Sequence, residues 1–172
     1  PRDNGVRPRE PRREPPPPEQ SSGTSFAIPA SPKSDFTLSS PAVTDGGNLP
    51  VEFTGDGESA SPPIAWSGAP AGTKSYALIM HHLAPGGVTK IYWTLHDIPA
   101  TKTNLAKNSK GIGIPGLNTI HGDAAYAPPH SKGPGAKTYV ITVFALSTPR
   151  LETSGHPLPA EALYSAIKPR IL

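Results

Sequence analysis

Two adjacent histidines, His81 and His82, stand where a run of aliphatic residues gives way to a loop. The apolar run at residues 76–80 precedes them, and the sequence A-P-G-G at 84–87 follows shortly after. Imidazoles at the end of a strand, beside a backbone restricted by proline and loosened by glycine, suit a ligand pocket better than a core. We therefore predict a binding site at this strand end.

Five residues from elsewhere in the chain complete the predicted ligand-binding set. Imidazole, phenol and ammonium groups supply hydrogen-bond donors without a neighbouring carboxylate, a combination suited to an oxyanion. Binding of this kind does not require catalysis. The full set is His81, His82, Pro85, Tyr92, Tyr126, His130 and Lys137.

Two other interpretations of the histidines stay open. His81, His82 and His130 could converge on zinc or copper, because neutral imidazole binds both metals. Adjacent residues of a regular strand point to opposite faces, so His81 and His82 can share a metal only where the strand is broken. Alternatively, one of this pair is hydrogen-bonded inside the fold and the other is solvated. We predict no metal site and no cofactor, and we expect surface or turn positions for His96, His121 and His156.

The sequence lacks the usual signatures of an enzyme. Hydrolysis needs a nucleophile with a base and an orienting acid, and no Gly-x-Ser-x-Gly elbow occurs. Asp56, Asp97 and Asp123 are isolated acids typical of turns and caps, although Asp97 falls at a strand end and could orient a histidine. The glycine pairs at 86–87 and 133–135 precede no helix, which argues against a nucleotide site. We predict a protein that is not an enzyme.

Composition excludes several other functions. The 172 residues carry a formal charge of +3, and outside the N-terminal segment the basic and acidic residues nearly balance. No Lys/Arg run with interleaved aromatic residues occurs, so nucleic-acid binding is not predicted. The absence of cysteine excludes disulfides and thiolate metal sites. No apolar run approaches the roughly 20 residues that span a bilayer, so we predict no membrane span.

The chain divides at a change of composition. Residues 1–32 are rich in proline and poor in large hydrophobic residues, so they cannot bury enough apolar surface to fold alone. We predict an extended Pro-rich arm or linker at 1–32, followed by one β domain at 33–172. The arm is either a solvated tether or an attachment to a partner protein. A proline-rich, cysteine-free arm ahead of a β domain also suggests export, to the periplasm or the extracellular space.

Short strands and frequent turns dominate the domain. Strands are predicted at 36–38, 49–53, 64–66, 76–80 and 88–98, and the apolar run 139–146 is expected to be a central strand buried on both faces. Only 159–167 has helical spacing, with Pro159 at its start. This pattern predicts an all-β fold, a two-sheet antiparallel sandwich with a short C-terminal helix.

Taken in order, these segments resemble the phosphatidylethanolamine-binding protein family, specifically its bacterial Raf-kinase-inhibitor-like branch. The resemblance covers residues 36–172. It is carried by F-T-L-S-S-P-A at 36–42, S-P-P-I-A-W-S-G-A-P-A-G-T-K-S-Y-A-L at 61–78, A-P-G-G at 84–87, W-T-L-H-D-I-P-A at 93–100, and G-P-G-A-K-T-Y-V-I-T-V-F-A-L at 133–146.

The resemblance implies a β-sandwich with a small surface pocket for phosphate, phosphonate or acetate groups. In that family the pocket draws on an Asp-Pro-Asp-Ala-Pro loop, a strand histidine and a Gly-x-His-Arg segment. Here His81 replaces the leading aspartate, Tyr92 replaces the strand histidine, and Lys137-Thr138 replaces the His-Arg pair. The resemblance therefore implies a non-enzymatic binding module with an altered anion pocket. The alternative is an accessory or structural subunit of a larger extracytoplasmic complex, attached through the Pro-rich arm.

Overall fold

Two antiparallel sheets form the body of the protein. The computed structural model describes residue 28 and residues 35–83, 89–130, 133–153 and 156–172. The strands are β1 (Thr37–Ser39), β2 (Ile64–Ser67), β3 (Ser75–Leu83), β4 (Thr89–Pro99), β5 (Asn104–Leu105), β6 (Ile114–Pro115) and β7 (Tyr139–Leu146). The helix α1 spans Ala160–Ile167, and 3₁₀ turns lie at Val51–Phe53 and Lys168–Arg170. The smaller sheet has the order β1-β2-β5 and the larger one β6-β4-β3-β7.

Strand β3 divides the apolar interior into two cores. Its side chains alternate between the faces of the larger sheet, as a pleated strand requires. Leu78 and Met80 belong to an inter-sheet core that also contains Trp66 of the smaller sheet. Ala77 and Ile79 belong to a helix-side core beneath α1. Any polar side chain on β3 therefore faces one of two different environments.

Strand β4 contains two irregularities in its pairing with β3. Met80 pairs with Trp93 and His81 pairs with Ile91, so Tyr92 is the extra residue of a bulge. A second shift in the register of the two strands lies opposite Ala77. It is near Asp97, whose φ of 53° is in the left-handed region. Bulges re-aim side chains and are common beside functional sites.

The two-sheet fold and the C-terminal helix are confirmed by the structure, with two corrections to individual strands. Residues 49–53 do not form a strand, because Phe53 N–H donates to the Pro50 carbonyl at 3.0 Å in a 3₁₀ turn. Residues 139–146 form β7, but this strand lies at the edge of the larger sheet. The outer side of its end is bound by the C-terminal segment, where Leu172 N–H donates to the Ala145 carbonyl at 3.1 Å.

The N-terminal arm lies outside the described residues, except for one position. Ile28 packs against the helix-side core. The division at residue 32, and the attachment of the arm to a partner protein, therefore remain predictions. Within the described part of the chain, the helices are too short to cross a bilayer.

Candidate functional site

His81 and His82 point to opposite faces of the larger sheet. Both lie within the continuous strand β3, where His81 pairs with Val140 and His82 pairs with Tyr139 of β7. Alternation puts His82 on the face of the inter-sheet core and His81 on the face of the helix-side core. Because the strand is unbroken here, the two imidazoles cannot bind one ligand together.

His82 is fixed by a hydrogen bond to the backbone of the next strand. Its Nδ1 lies 2.9 Å from the Thr138 carbonyl oxygen. A carbonyl can only accept, so Nδ1 carries a proton and donates it to this bond. The ring also packs against Tyr139, with centroids 5.5 Å apart. Nε2 is therefore the nitrogen of His82 that remains for a ligand.

Three phenols, Tyr92, Tyr126 and Tyr139, form a tyrosine cluster beside His82. The rings of Tyr92 and Tyr139 meet edge to face, with centroids 5.1 Å apart and planes at 90°. Tyr92 reaches this position through the bulge in β4, whereas Tyr139 begins β7. Tyr126 is held by its hydroxyl, which donates to the Phe53 carbonyl at 2.6 Å.

Two phenols of the tyrosine cluster, those of Tyr92 and Tyr126, have raised pKa values. Burial raises the pKa of Tyr92, and the nearby charge and hydrogen bond of Tyr139 raise it further. Burial also raises the pKa of Tyr126, with a further contribution from the charge of Tyr139. Neutral phenols do not repel an anion, although the proton of Tyr126 is already donated to the Phe53 carbonyl.

His130 and Lys137 lie nearer to solvent, and each has a partner of its own. The His130 Nε2 lies 3.5 Å from the Asp56 Oδ1, and both side chains are exposed. Gly55 permits this position, because a Cβ there would come within 2.7 Å of the His130 Nδ1. The Lys137 Nζ donates to the Pro134 carbonyl at 3.2 Å. The carboxylate of Asp56 beside His130 could not be predicted from the sequence, because the two residues lie on different loops.

Of the seven predicted site residues, the structure brings His82, Tyr92 and Tyr126 together. His81 faces away from them, His130 contacts Asp56 of another loop, and Lys137 contacts its own loop. Pro85 lies outside the described residues. The described part of the chain contains no cluster of three or more His, Cys, Asp or Glu residues that could hold a metal ion.

His81 is almost fully buried, with 4% of its surface exposed. Its Nδ1 has no hydrogen-bond partner among the described residues. Burial lowers the pKa of His81 below the ordinary value of 6.5, and the charge of neighbouring His82 lowers it further. The folded state therefore favours a neutral imidazole at this position.

This burial predicts a loss of stability in acid. Above pH 6.5, the ordinary histidine pKa, His81 is neutral in both the folded and the unfolded chain. As the pH falls below this value the unfolded chain takes up a proton that the folded chain resists, so the free energy of unfolding decreases. The decrease ends once the pH passes the lowered pKa of the folded state. Chemical denaturation between pH 7.5 and 5 should show a shallower decrease in His81→Gln than in the unsubstituted protein.

The exposed His121 offers the matched control for this titration. His121→Gln should keep the full pH dependence. An equal slope in His81→Gln and the unsubstituted protein would contradict the assignment of the acid sensitivity to His81.

The expectation that His96 is a surface or turn residue is wrong. It is 1% exposed, because its strand is covered on both faces. Its Nδ1 lies 3.2 Å from the Asp97 Oδ1, although neither ring nitrogen has a hydrogen-bond partner within the described ranges. The Asp97 Oδ1 accepts from the Leu151 N–H at 2.9 Å. Asp97 therefore lies beside a histidine, as its strand-end position suggested. That histidine, His96, is four residues further along β4 than Tyr92 of the tyrosine cluster.

Two residues of the site region were missed from the sequence. The sequence places Tyr139 only at the start of a strand, and its position opposite His82 becomes evident only once β3 and β7 are paired. Asn118 is 2% exposed and makes five hydrogen bonds within the segment that leads to Tyr126. An asparagine in a Gly-rich irregular segment is a weak signal for such a role, because asparagine is common in turns.

The family model for phosphatidylethanolamine-binding protein matches residues 39–172, which is most of the chain. The chain belongs to the phosphatidylethanolamine-binding protein family. The matched region contains the strands β2 to β7, the tyrosine cluster and the C-terminal helix.

Relatives of this family member come from archaea and bacteria. A UPF0098 protein of Methanothermobacter thermautotrophicus is 32% identical over 66% of this chain and 78% of its own length. YbcL of Escherichia coli is 34% identical over 67% of this chain and 71% of its own. The superposition on the crystal structure of YbcL covers 81% of this chain and 93% of the YbcL chain, with a TM-score of 0.73. LppC of Mycobacterium tuberculosis, named a putative lipoprotein, is 28% identical over 69% of this chain and 59% of its own.

Proposed function

We propose that the chain is a non-enzymatic binding module that holds a small anionic group between His82 and the tyrosine cluster. The observation that carries the proposal is the hydrogen bond from the His82 Nδ1 to the Thr138 carbonyl. It fixes the ring, which packs against Tyr139 of the cluster, and leaves Nε2 as the nitrogen for a ligand. When protonated, this nitrogen donates a charge-assisted hydrogen bond to an oxyanion.

The surrounding groups support an anion rather than a cation. The pKa values of Tyr92 and Tyr126 are raised, so their phenols stay neutral. A cation would need carboxylates, whereas the proposed site consists of an imidazole and phenols, and the Asp56 carboxylate lies beside exposed His130. Phosphate, phosphoethanolamine and acetate are therefore the natural first ligands to test.

Calorimetric titration of Tyr139→Phe tests the role of the cluster. Tyr139 contacts both His82 and Tyr92 through its ring, and phenylalanine keeps that ring while removing the hydroxyl. Loss of one neutral hydrogen bond should weaken phosphate binding by about three- to tenfold. Tyr164→Phe is the control, because Tyr164 belongs to the helix-side core. Equal losses in the two variants, or no heat with any of the three ligands, would count against the proposal.

An extracytoplasmic location is also part of the proposal. It rests on the cysteine-free, proline-rich composition of residues 1–32 and on the similarity to LppC, which bears the name of a putative lipoprotein. Fractionation of cells that produce the protein from its complete natural gene would test it. Recovery with the cytoplasmic fraction alone would contradict it.

A further inference from the structure

A cleft of about 330 Å³ opens beside the candidate site, on the far side of Tyr126. Its lining comes from β4 and from three loops, and it includes neither His82, Tyr92 nor Tyr139. The volume is at the lower end of the range for small-molecule pockets, roughly 300 to 1,000 Å³. The cleft is therefore large enough for a compact ligand, and Tyr126 is the residue that it shares with the tyrosine cluster.

The floor of the cleft is aromatic and aliphatic. Trp93 and Leu95 project from β4, and the ring of Tyr126 meets Trp93 edge to face, with centroids 5.6 Å apart. The Tyr126 hydroxyl is held by the Phe53 carbonyl, so the ring is fixed in place. Fixed aromatic edges at right angles favour a flat apolar or aromatic ligand.

The rim of the cleft is polar and held in place by backbone hydrogen bonds. Ser59 and Asn108 both line it, and both have φ in the left-handed region, at 58° and 54°. Non-glycine residues in that region cost free energy and are concentrated at ligand sites. The Asn108 N–H donates to the Ser61 carbonyl at 3.0 Å, which ties the two sides of the rim together. The cleft is thus formed before a ligand arrives.

The charge at the rim is positive. Lys110 is the one charged side chain among the described residues that line the cleft. Neighbouring Lys107 is already paired with Glu52 at 2.5 Å and with Glu58 at 2.7 Å, so it does not compete for a ligand. A ligand with one anionic end would complement this arrangement.

We infer that this cleft is a second binding site, for small aromatic compounds that carry a single carboxylate or sulfonate. The ring lies on Trp93 and Leu95 against the edge of Tyr126, and the anionic group faces Lys110. The site works independently of anion binding at His82. It would allow the protein to bind an aromatic acid while the tyrosine cluster is empty or occupied.

The test uses 1-naphthalenesulfonate and its neutral analogue 1-naphthalenesulfonamide, which share the ring and differ in charge. Each compound is titrated into the ¹⁵N-labelled full chain, and the backbone amides of residues 108–113 are followed by NMR. We expect saturable shifts at these amides, with about fivefold tighter binding of the sulfonate, as one exposed charge pair allows. Ala125→Trp, at an exposed position on the lining, should fill the cleft and abolish the shifts.

Two further variants keep the result interpretable. Lys110→Gln should bring the affinities of the two compounds together, and His82→Asn should leave both unchanged. Saturable shifts that survive Ala125→Trp, a sulfonate preference that survives Lys110→Gln, or shifts lost in His82→Asn would each overturn the second site. The absence of saturable shifts at 108–113 would do the same. Phosphate titration in the same samples reports separately on the His82 site.

Discussion

Replacing Asn118 by alanine should lower the free energy of unfolding by about 3 to 4 kcal/mol. The Asn118 Nδ2 donates to the Asp123 carbonyl at 3.0 Å, to the Ala125 carbonyl at 3.2 Å and to the Asp123 carboxylate. Its Oδ1 accepts from the Ile120 and His121 N–H groups at 3.0 and 2.7 Å. Alanine removes all five hydrogen bonds, whose partners lie on exposed or half-buried residues, and each such loss costs about 0.5 to 1.5 kcal/mol.

Urea denaturation of Asn118→Ala beside Asn48→Ala measures this effect. Asn48 is exposed in a turn, so its replacement should change the free energy of unfolding by less than about 0.5 kcal/mol. Since Asn118 organises the segment that ends at Tyr126, Asn118→Ala should also weaken the binding of any ligand that contacts the Tyr126 ring. Equal stability of the two variants would contradict the structural role given to Asn118.

His82→Asn should weaken phosphate binding by at least about tenfold while leaving the fold intact. The asparagine amide can donate to the Thr138 carbonyl in place of Nδ1, but it has no counterpart to Nε2. The expected loss corresponds to one charge-assisted hydrogen bond, about 1.5 to 3 kcal/mol. Calorimetric titration of the variant and the unsubstituted protein gives the ratio of the two dissociation constants.

His121→Asn provides the matched control for His82→Asn, because His121 is exposed and lies outside the tyrosine cluster. Its phosphate affinity should equal that of the unsubstituted protein. If His82→Asn also keeps that affinity, the anion does not bind through Nε2, and the proposed role of His82 is wrong.

The central strands and the helix could be predicted from the sequence because their patterns are local. The apolar runs before and after 84–87 match β3 and β4, and Pro159 marks the N-terminus of α1. The strand predicted at 49–53 was wrong because the alternation of apolar residues does not reveal that the Pro50 carbonyl accepts a 3₁₀ hydrogen bond. The apolar run of β7 misled because periodicity does not show which strands lie at a sheet edge.

The site was harder to predict, because it depends on pairing and not on composition. Which of two adjacent histidines faces the inter-sheet core is decided by the register of β3 against β7. Tyr92 joins the cluster through a bulge, and a bulge leaves no distinct mark in a sequence of Ile, Tyr and Trp. Asp56 pairs with His130 across a large distance in the chain, through the contact of two loops.

The most direct test of anion binding at His82 is the ¹⁵N resonance of its Nε2, observed in ¹⁵N-histidine-labelled protein during titration with phosphate. His82→Asn assigns the resonance, because it alone should disappear in that variant. If phosphate binds between His82 and the tyrosine cluster, the ¹⁵N resonance of the His82 Nε2 should shift in a saturable way. The resonances of the buried His81 should stay nearly unchanged. A saturating phosphate signal elsewhere in the protein, with the His82 Nε2 unmoved, would contradict it.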